Sequence, residues 1–297
     1  MIQKEFRSSP KMHILKRLYA RLHLDEIKVR IQQDIAKIEA GDFGEEIVAK
    51  RLNTYKNAID IHVFHDITLY QNGLFQMDFL VVTSSCIIIL EVKNISGHIY
   101  FTQNPQQLIR KIKGQPDQKF RSPETQIQKY IKQLEIWNYS HQYNIPIYGA
   151  VIFPTLSSIV NSDNTMTHIL DLEEIEQFIY KQNQENIENT DVQKFINRIK
   201  EKAIDYRINT LGEYYNFKLY HLNSDFLCPK CHSKMLKKSR RKWNCSNCSY
   251  TGQRIIKEEL DEYLSYFHQD MLKQDLQKFM KDVSKSTFYR EWKKIQK

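Results

Sequence analysis

Residues 75–94, FQMDFLVVTSSCIIILEVKN, constrain the fold more than any other stretch of the chain. The apolar runs 79–82 and 87–90 flank the break Thr83-Ser84-Ser85-Cys86 and read as two strands buried on both faces, joined as an antiparallel hairpin. Asp78, Glu91 and Lys93 nonetheless sit in or at the end of these strands. Strand alternation puts Ile87, Ile89, Glu91 and Lys93 on one face and Ile88, Leu90 and Val92 on the other. A loop of two residues (Ser84, Ser85) or four (Thr83 to Cys86) pairs Leu80 with Ile89, which sets Asp78 opposite Glu91.

Opposed carboxylates destabilise a sheet, and acidic groups are rarely buried without a partner. Lys93 is one offset. A divalent cation, Mg²⁺ or Mn²⁺, is the better one, since one or two carboxylates with water and phosphate oxygens make its usual shell. Gly41-Asp42 is expected to open a short helix through Leu52, whose stripe Glu45, Val48, Ala49 and Leu52 turns Glu45 toward the core and leaves Glu46 beside Lys50 at the surface. Upstream, residues 12–40 have helical spacing and read as a packing arm.

Beyond the hairpin come strand-like GHIYF, a polar basic stretch over 102–124 expected to be a loop, and a helix from Pro123 with the stripe Ile127, Tyr130, Ile131, Leu134 and Trp137. Strand-like IPIYGAVIF and two further helices, one capped by Asp171 and one from Val192, complete an alternation that argues for a single α/β domain. His65 and His98 read as structural residues.

The chain of 297 residues carries a formal net charge of +9. Residues 226–297 hold 17 basic and 8 acidic side chains, whereas the first 225 hold 27 of each, so the whole excess lies in the last quarter. Such a distribution suits a polyanion, with nucleic acid the expected partner and DNA preferred over RNA. No apolar run is long enough to span a bilayer and the N-terminus lacks a signal-like apolar segment, so no membrane association and a cytoplasmic location are expected. A homodimer or an activating protein partner is compatible with the sequence.

Cys228, Cys231, Cys245 and Cys248 form two Cys-x-x-Cys pairs, the spacing of a four-thiolate Zn²⁺ site, and the arrangement resembles a zinc ribbon. Lys237, Lys238, Arg240, Arg241, Lys242 and Trp243 between the pairs are candidates for phosphate contact and base stacking. Three short helices are expected beyond the ribbon. Ser284 can cap the last of them, and the final pair resembles a helix-turn-helix that offers Lys285, Ser286, Tyr289 and Arg290 to a groove, with a plain helical cap on the ribbon as the competing reading.

Taken in order, GEEIVAKRL, QMDFLVV, IILEVKN, the strand after Gly97 and SPETQIQKY resemble the nuclease-related domain (NERD), a branch of the PD-(D/E)xK nuclease superfamily. The resemblance covers roughly residues 41–155. It implies a central mixed β-sheet flanked by helices, a restriction-endonuclease-like core, and metal-dependent phosphodiester hydrolysis. It assigns Glu45 as the helix acid, Asp78 as the strand aspartate, Glu91 and Lys93 as the Glu-x-Lys pair and Gln126 as the glutamine of the following helix. Met77 and Ser122-Pro123 depart from the family pattern. The expected organisation is a helical arm (1–40), a nuclease core (41–210), a zinc ribbon (224–254) and a helical DNA-binding module (255–297). A catalytically inactive nucleic-acid-binding adaptor built on the same fold is the alternative.

Overall fold

The charged hairpin lies in the middle of a six-stranded mixed sheet, and its apolar runs are buried because helices cover both faces. The computed structural model describes residues 2–55, 60–163, 165–204, 211–239, 242–252, 255–267 and 273–295. In chain order the elements are β1 (Ile2–Lys4), α1 (Pro10–Arg21), α2 (Asp25–Tyr55), β2 (His62–Tyr70), β3 (Leu74–Val82), β4 (Ile87–Val92), β5 (Gly97–Gln103), β6 (Gln106–Lys111) and β7 (Gln118–Arg121). There follow α3 (Pro123–Ser140), β8 (Ile147–Phe153), β9 (Ser158–Asn161), β10 (His168–Asp171), α4 (Ile175–Gln184), α5 (Val192–Lys202) and α6 (Leu211–Tyr215). The last elements are β11 (Met235–Lys237), β12 (Trp243–Cys245), β13 (Thr251–Gly252), α7 (Ile255–Phe267), α8 (Lys273–Phe279) and α9 (Lys285–Ile295).

Two compact units divide the chain: residues 1–8 with 39–206, and residues 9–38 with 207–297. In the first, the large sheet has the order β1-β2-β3-β4-β8-β10. Strands β2, β3 and β4 are antiparallel, and β4, β8 and β10 are parallel. Leu80 pairs with Ile89, the expected register. Ile127, Leu134 and Trp137 of α3 and Phe195, Ile196 and Ile199 of α5 cluster with Ile87, Ile89 and Val151. Val48 and Leu52 of α2 and Ile175 and Ile179 of α4 cluster with Ile88, Leu90 and Ile152. The alternation of β4 thus feeds two separate cores, one on each face.

Two local expectations are corrected, and one strand is unforeseen. Residues 42–52 do not form a separate helix, because α2 runs unbroken from Asp25 to Tyr55. A helical glycine such as Gly41 costs only about 1 kcal/mol, which long flanking helix-forming segments outweigh. Residues 102–124 are not a loop. They contribute β6 and β7 to a second sheet of order β7-β6-β5-β9, in which Ile99, Phe101 and Leu108 supply a buried face. β1, which had no sequence signal, adds a parallel strand beside β2.

The second unit has its own core. Leu15, Leu18 and Ile31 of the first helices pack with Trp243, Tyr263, Leu276, Phe288 and Trp292. Arg17 and Arg21 reach Glu259 and Glu262 of α7, with Arg21 Nε 2.7 Å from Glu262 Oε1 and Arg17 Nη2 3.0 Å from Glu259 Oε1. Arg21 also donates to the carbonyl of Asp225 at 2.7 Å and to Tyr263 Oη at 2.8 Å. The N-terminal arm is therefore part of the same packed unit as the cysteine-bearing segment. No described helix is long and apolar enough to cross a membrane.

Candidate active site and metal centre

Glu91 is the penultimate residue of β4, on the face covered by α3, and its side chain is almost wholly buried. Lys93 Nζ donates to Glu91 Oε1 at 2.6 Å and to Gln126 Oε1 at 3.3 Å. Gln126, in the first turn of α3, returns a hydrogen bond from Nε2 to the same Glu91 oxygen at 2.6 Å and a second to Tyr130 Oη at 3.2 Å. Three sequence-predicted residues, with Tyr130, thus form one closed network. Glu91 Oε2 takes no part in it: it is buried and has no hydrogen-bond partner among the described residues.

Asp78 reaches the same end of the sheet from β3. Its Oδ2 accepts the Val92 amide at 2.8 Å, which ties the aspartate to the end of β4. The described pairing of β3 with β4 stops at Phe79 and Leu90, so Asp78 and Glu91 stand where the ladder ends. The face pattern also breaks there. Phe75 and Met77 belong to the core beneath α3, while Phe79 and Val81 belong to the opposite one. On β2, Asp66 adopts a positive φ of 52°, and Phe64 and Ile67 fall on one face although three residues apart. The alternation of faces is interrupted where the carboxylate is carried.

The electrostatics follow from this crowding. Burial pushes the Asp78 carboxyl well above its ordinary range, and the charges of Glu91 and Glu45 push in the same direction. Burial also raises Glu91, against the pull of Lys93 and the Gln126 hydrogen bond. For Lys93 burial acts downward, but Glu91 and Asp78 outweigh it and the net shift is upward. Two carboxylates that resist ionisation beside one lysine form a site short of positive charge. A hard divalent cation fits that donor set, and the orphaned Glu91 Oε2 is the specific observation in its favour.

Glu45 faces the core side of α2, as its stripe predicts, but it takes a partner the sequence did not reveal: its Oε2 is 2.6 Å from His65 Nε2. His65 is buried between Phe6 and Phe79, with ring centroids at 4.9 and 5.0 Å. Among the described residues Glu45, Asp78 and Glu91 do not converge into one tight ligand cluster; the one such group is formed by the cysteines. A second residue missed by sequence reading is Glu124. It is fully buried, and its Oε1 accepts the amides of Met166 at 2.7 Å and Thr167 at 3.2 Å, pinning that loop to the start of α3. Its position next to Pro123 in the helix opening was the available signal.

In the other unit the four cysteine sulfurs lie within 4.8 Å of one another. Cys228 and Cys248 are 3.7 Å apart and Cys231 and Cys245 are 3.4 Å apart, well beyond a disulfide bond. Zn–S bonds of ~2.3 Å imply tetrahedron edges of ~3.8 Å, so the cluster is already close to zinc-binding geometry. Backbone amides of Lys230, Asn247 and Cys248 point at the sulfurs from 3.3 to 3.4 Å. With the three-stranded sheet β11-β12-β13, the arrangement is compatible with a zinc ribbon.

The candidate nucleic-acid residues are placed unevenly. Lys237, Lys238 and Lys242 are exposed, whereas Arg240 and Arg241 lie outside the described residues. Trp243 is only 5 % exposed and packs on Phe226 with centroids 4.6 Å apart, so its ring is core and not an open stacking surface. Ser284 Oγ faces the Thr287 amide at the start of α9. Lys285, Ser286, Tyr289 and Arg290 are exposed on that helix, while Phe288 and Trp292 are buried. Lys273 sits over the Tyr289 ring at 4.5 Å, and Arg290 pairs with Glu291 at 3.1 Å.

Residues 40–154 match the family model of the nuclease-related domain, NERD. Glu45, Asp78, Glu91, Lys93 and Gln126 all fall within the matched segment. Searches of curated proteins and of solved structures found no match.

Proposed function

We propose that the chain is a metal-dependent nuclease that hydrolyses phosphodiester bonds of DNA, with Mg²⁺ or Mn²⁺ at the nuclease site and a structural Zn²⁺ at the four cysteines. The observation that carries the reading is the Glu91–Lys93–Gln126 network, in which one buried carboxylate oxygen accepts two hydrogen bonds and the other is left open.

Asp78 and Glu91 would hold the cation. When bound it polarises a phosphate oxygen and lowers the pKa of a coordinated water. Lys93, fixed by Glu91 and Gln126, presents positive charge where negative charge accumulates during attack at phosphorus. Gln126 holds Lys93 and Glu91 in register with one amide, accepting from the first and donating to the second. Glu45, held by His65, contributes negative charge from α2 and orients water at the edge of the site. The basic tail, with Lys237, Lys238, Lys242, Lys285 and Tyr289 exposed, would retain DNA through phosphate contacts.

The test is cleavage of single-stranded, duplex and branched DNA with Mg²⁺ or Mn²⁺. Asp78→Ala, Glu91→Ala and Lys93→Ala are expected to abolish cutting while DNA binding persists. Wild-type protein that binds but cuts none of these substrates would establish the adaptor reading instead.

A further inference from the structure

The formal neutrality of the first 225 residues conceals a local excess. Residues 97–121 contain Arg110, Lys111, Lys113, Lys119 and Arg121 against the single acid Asp117. These residues build β5, β6 and β7 of the second sheet. We propose that this sheet is a nucleic-acid contact surface of the nuclease unit, gripping the phosphate backbone of the strand that enters the site. The proposal rests on the nuclease reading above and gives that unit its own grip on DNA.

Three observations support it. First, the sheet is two-sided. Leu108 pairs with Phe101 and Phe120, and with Ile99 and Phe101 it supplies the buried face. Alternation then directs Lys119 and Arg121 to the opposite face, with Tyr100. Tyr100 is 37 % exposed and carries Lys111 Nζ 5.4 Å from its ring centre, the mixture of open aromatic and cation that suits a nucleotide strand.

Second, three of the five cations are uncommitted. Lys111 has Asp117 at 3.5 Å, and Arg110 is held by the Ser96 carbonyl at 2.7 Å. The side chains of Lys113, Lys119 and Arg121 are exposed and have neither a hydrogen-bond nor an ion-pair partner among the described residues. Edge strands gain protection from self-pairing by carrying such charges, and β7 is an edge. That account covers one or two lysines. It does not explain a third cation in the turn after β6 or the exposed aromatic beside them.

Third, the sheet is rooted in the candidate active site. It leaves the chain just after Lys93 and returns just before Gln126, and those two side chains touch at 3.3 Å. Arg121 precedes Gln126 by five residues, which limits their Cα separation to ~18 Å. Gly97, with φ of 109°, fixes the near end: a Cβ there would lie 3.0 Å from the Lys111 carbonyl oxygen. A strand lying on this face is thereby delivered within a few nucleotides of Glu91.

The test uses the full chain, without divalent metal, titrated against a labelled 30-nucleotide single strand and its duplex at several salt concentrations. The triple variant Lys113→Ala/Lys119→Ala/Arg121→Ala removes only exposed, unpartnered groups. It is expected to keep its melting temperature, lose about tenfold or more in affinity, and lower the salt slope by about 2 to 3. Lys119→Glu/Arg121→Glu should weaken binding further. A triple variant with wild-type affinity and slope overturns the proposal, as does failure of the wild-type chain to bind either substrate. Loss of binding in the variants of a protein that never cuts DNA would uphold the contact surface and refute the nuclease reading, so the two failures are separable.

Discussion

Glu45 Oε2 lies 2.6 Å from His65 Nε2, joining helix α2 to strand β2 beside the candidate active site. The histidine is buried and enclosed by Phe6 and Phe79, so it fixes the direction of a carboxylate that would otherwise sample several rotamers. Removal of partners that orient a site group typically costs ~10–100-fold. His65→Ala is expected to lower cleavage into that range, as is Glu45→Gln. The double variant should be little worse than either single one, because both delete the same contact. Steady-state cleavage rates for the three proteins check this; additive losses would show that the residues act separately.

Gly41 and Gly44 lie one turn apart in α2, yet opposite outcomes are expected on substitution. A Cβ at Gly44 would meet Asn94 Cβ at 2.6 Å and Val92 Cγ1 at 3.3 Å, so Gly44→Ala must push the helix away from the end of β4. The cost should be about 1–3 kcal/mol, with reduced cleavage because Glu45 moves as well. Nothing lies within 4 Å of a Cβ at Gly41. Gly41→Ala should stabilise by about 0.5–1 kcal/mol. Denaturant titrations of both variants test the pair.

The raised pKa of Asp78 makes a prediction about pH. Burial comes first, reinforced by Glu91 and Glu45, so the folded state keeps a proton that the unfolded state releases in the ordinary carboxylate range. Stability therefore falls as pH rises through the interval between the unfolded and folded values. In Mg²⁺-free buffer, Asp78→Asn should raise the melting temperature of this unit at pH 8, with the gain shrinking toward pH 4. Adding Mg²⁺ should stabilise the wild type and leave the variant unmoved. A variant less stable than wild type at pH 8 would contradict the sign.

The cysteine unit should depend on both zinc and the N-terminal helices. Elemental analysis is expected to find one Zn²⁺ per chain, lost in Cys228→Ser and Cys245→Ser. Arg21→Met leaves Glu259 and Glu262 in the interior with one arginine in place of two. Breaking a buried ion pair from one side costs about 3–5 kcal/mol. A fragment of residues 224–297 lacks both arginines and Leu15, Leu18 and Ile31, and should stay largely unfolded even with zinc. A cooperative thermal transition in that fragment would refute the dependence.

What could be read from the sequence was local or strongly periodic. The hairpin register, the inward face of Glu45 and the stripe of α3 follow from alternation and helical spacing over a few residues. The cysteine cluster follows from two short repeats. The second sheet was obscured because Ile99, Phe101 and Leu108 are its only large buried apolar residues and polar residues surround them. Trp243 beside a basic run looked like a surface residue, since nothing nearby in sequence announces Phe226 as its partner. The His65 contact required knowledge of how a helix crosses a strand.

Translation meets the elements of the second unit far apart in time. The guanidinium of Arg21 finds the carboxylate of Glu259 238 residues later. At ~5–20 residues per second the ribosome takes roughly 10–50 s to bring that partner out. The first unit, residues 39–206 of which carry the candidate active site, lies almost wholly between these two moments. Nascent α1 must therefore wait with its arginines solvated while the intervening unit completes its sheet. A chaperone that shields Leu15 and Leu18 during that interval would act on residues made before the intervening unit and on a core that closes after it.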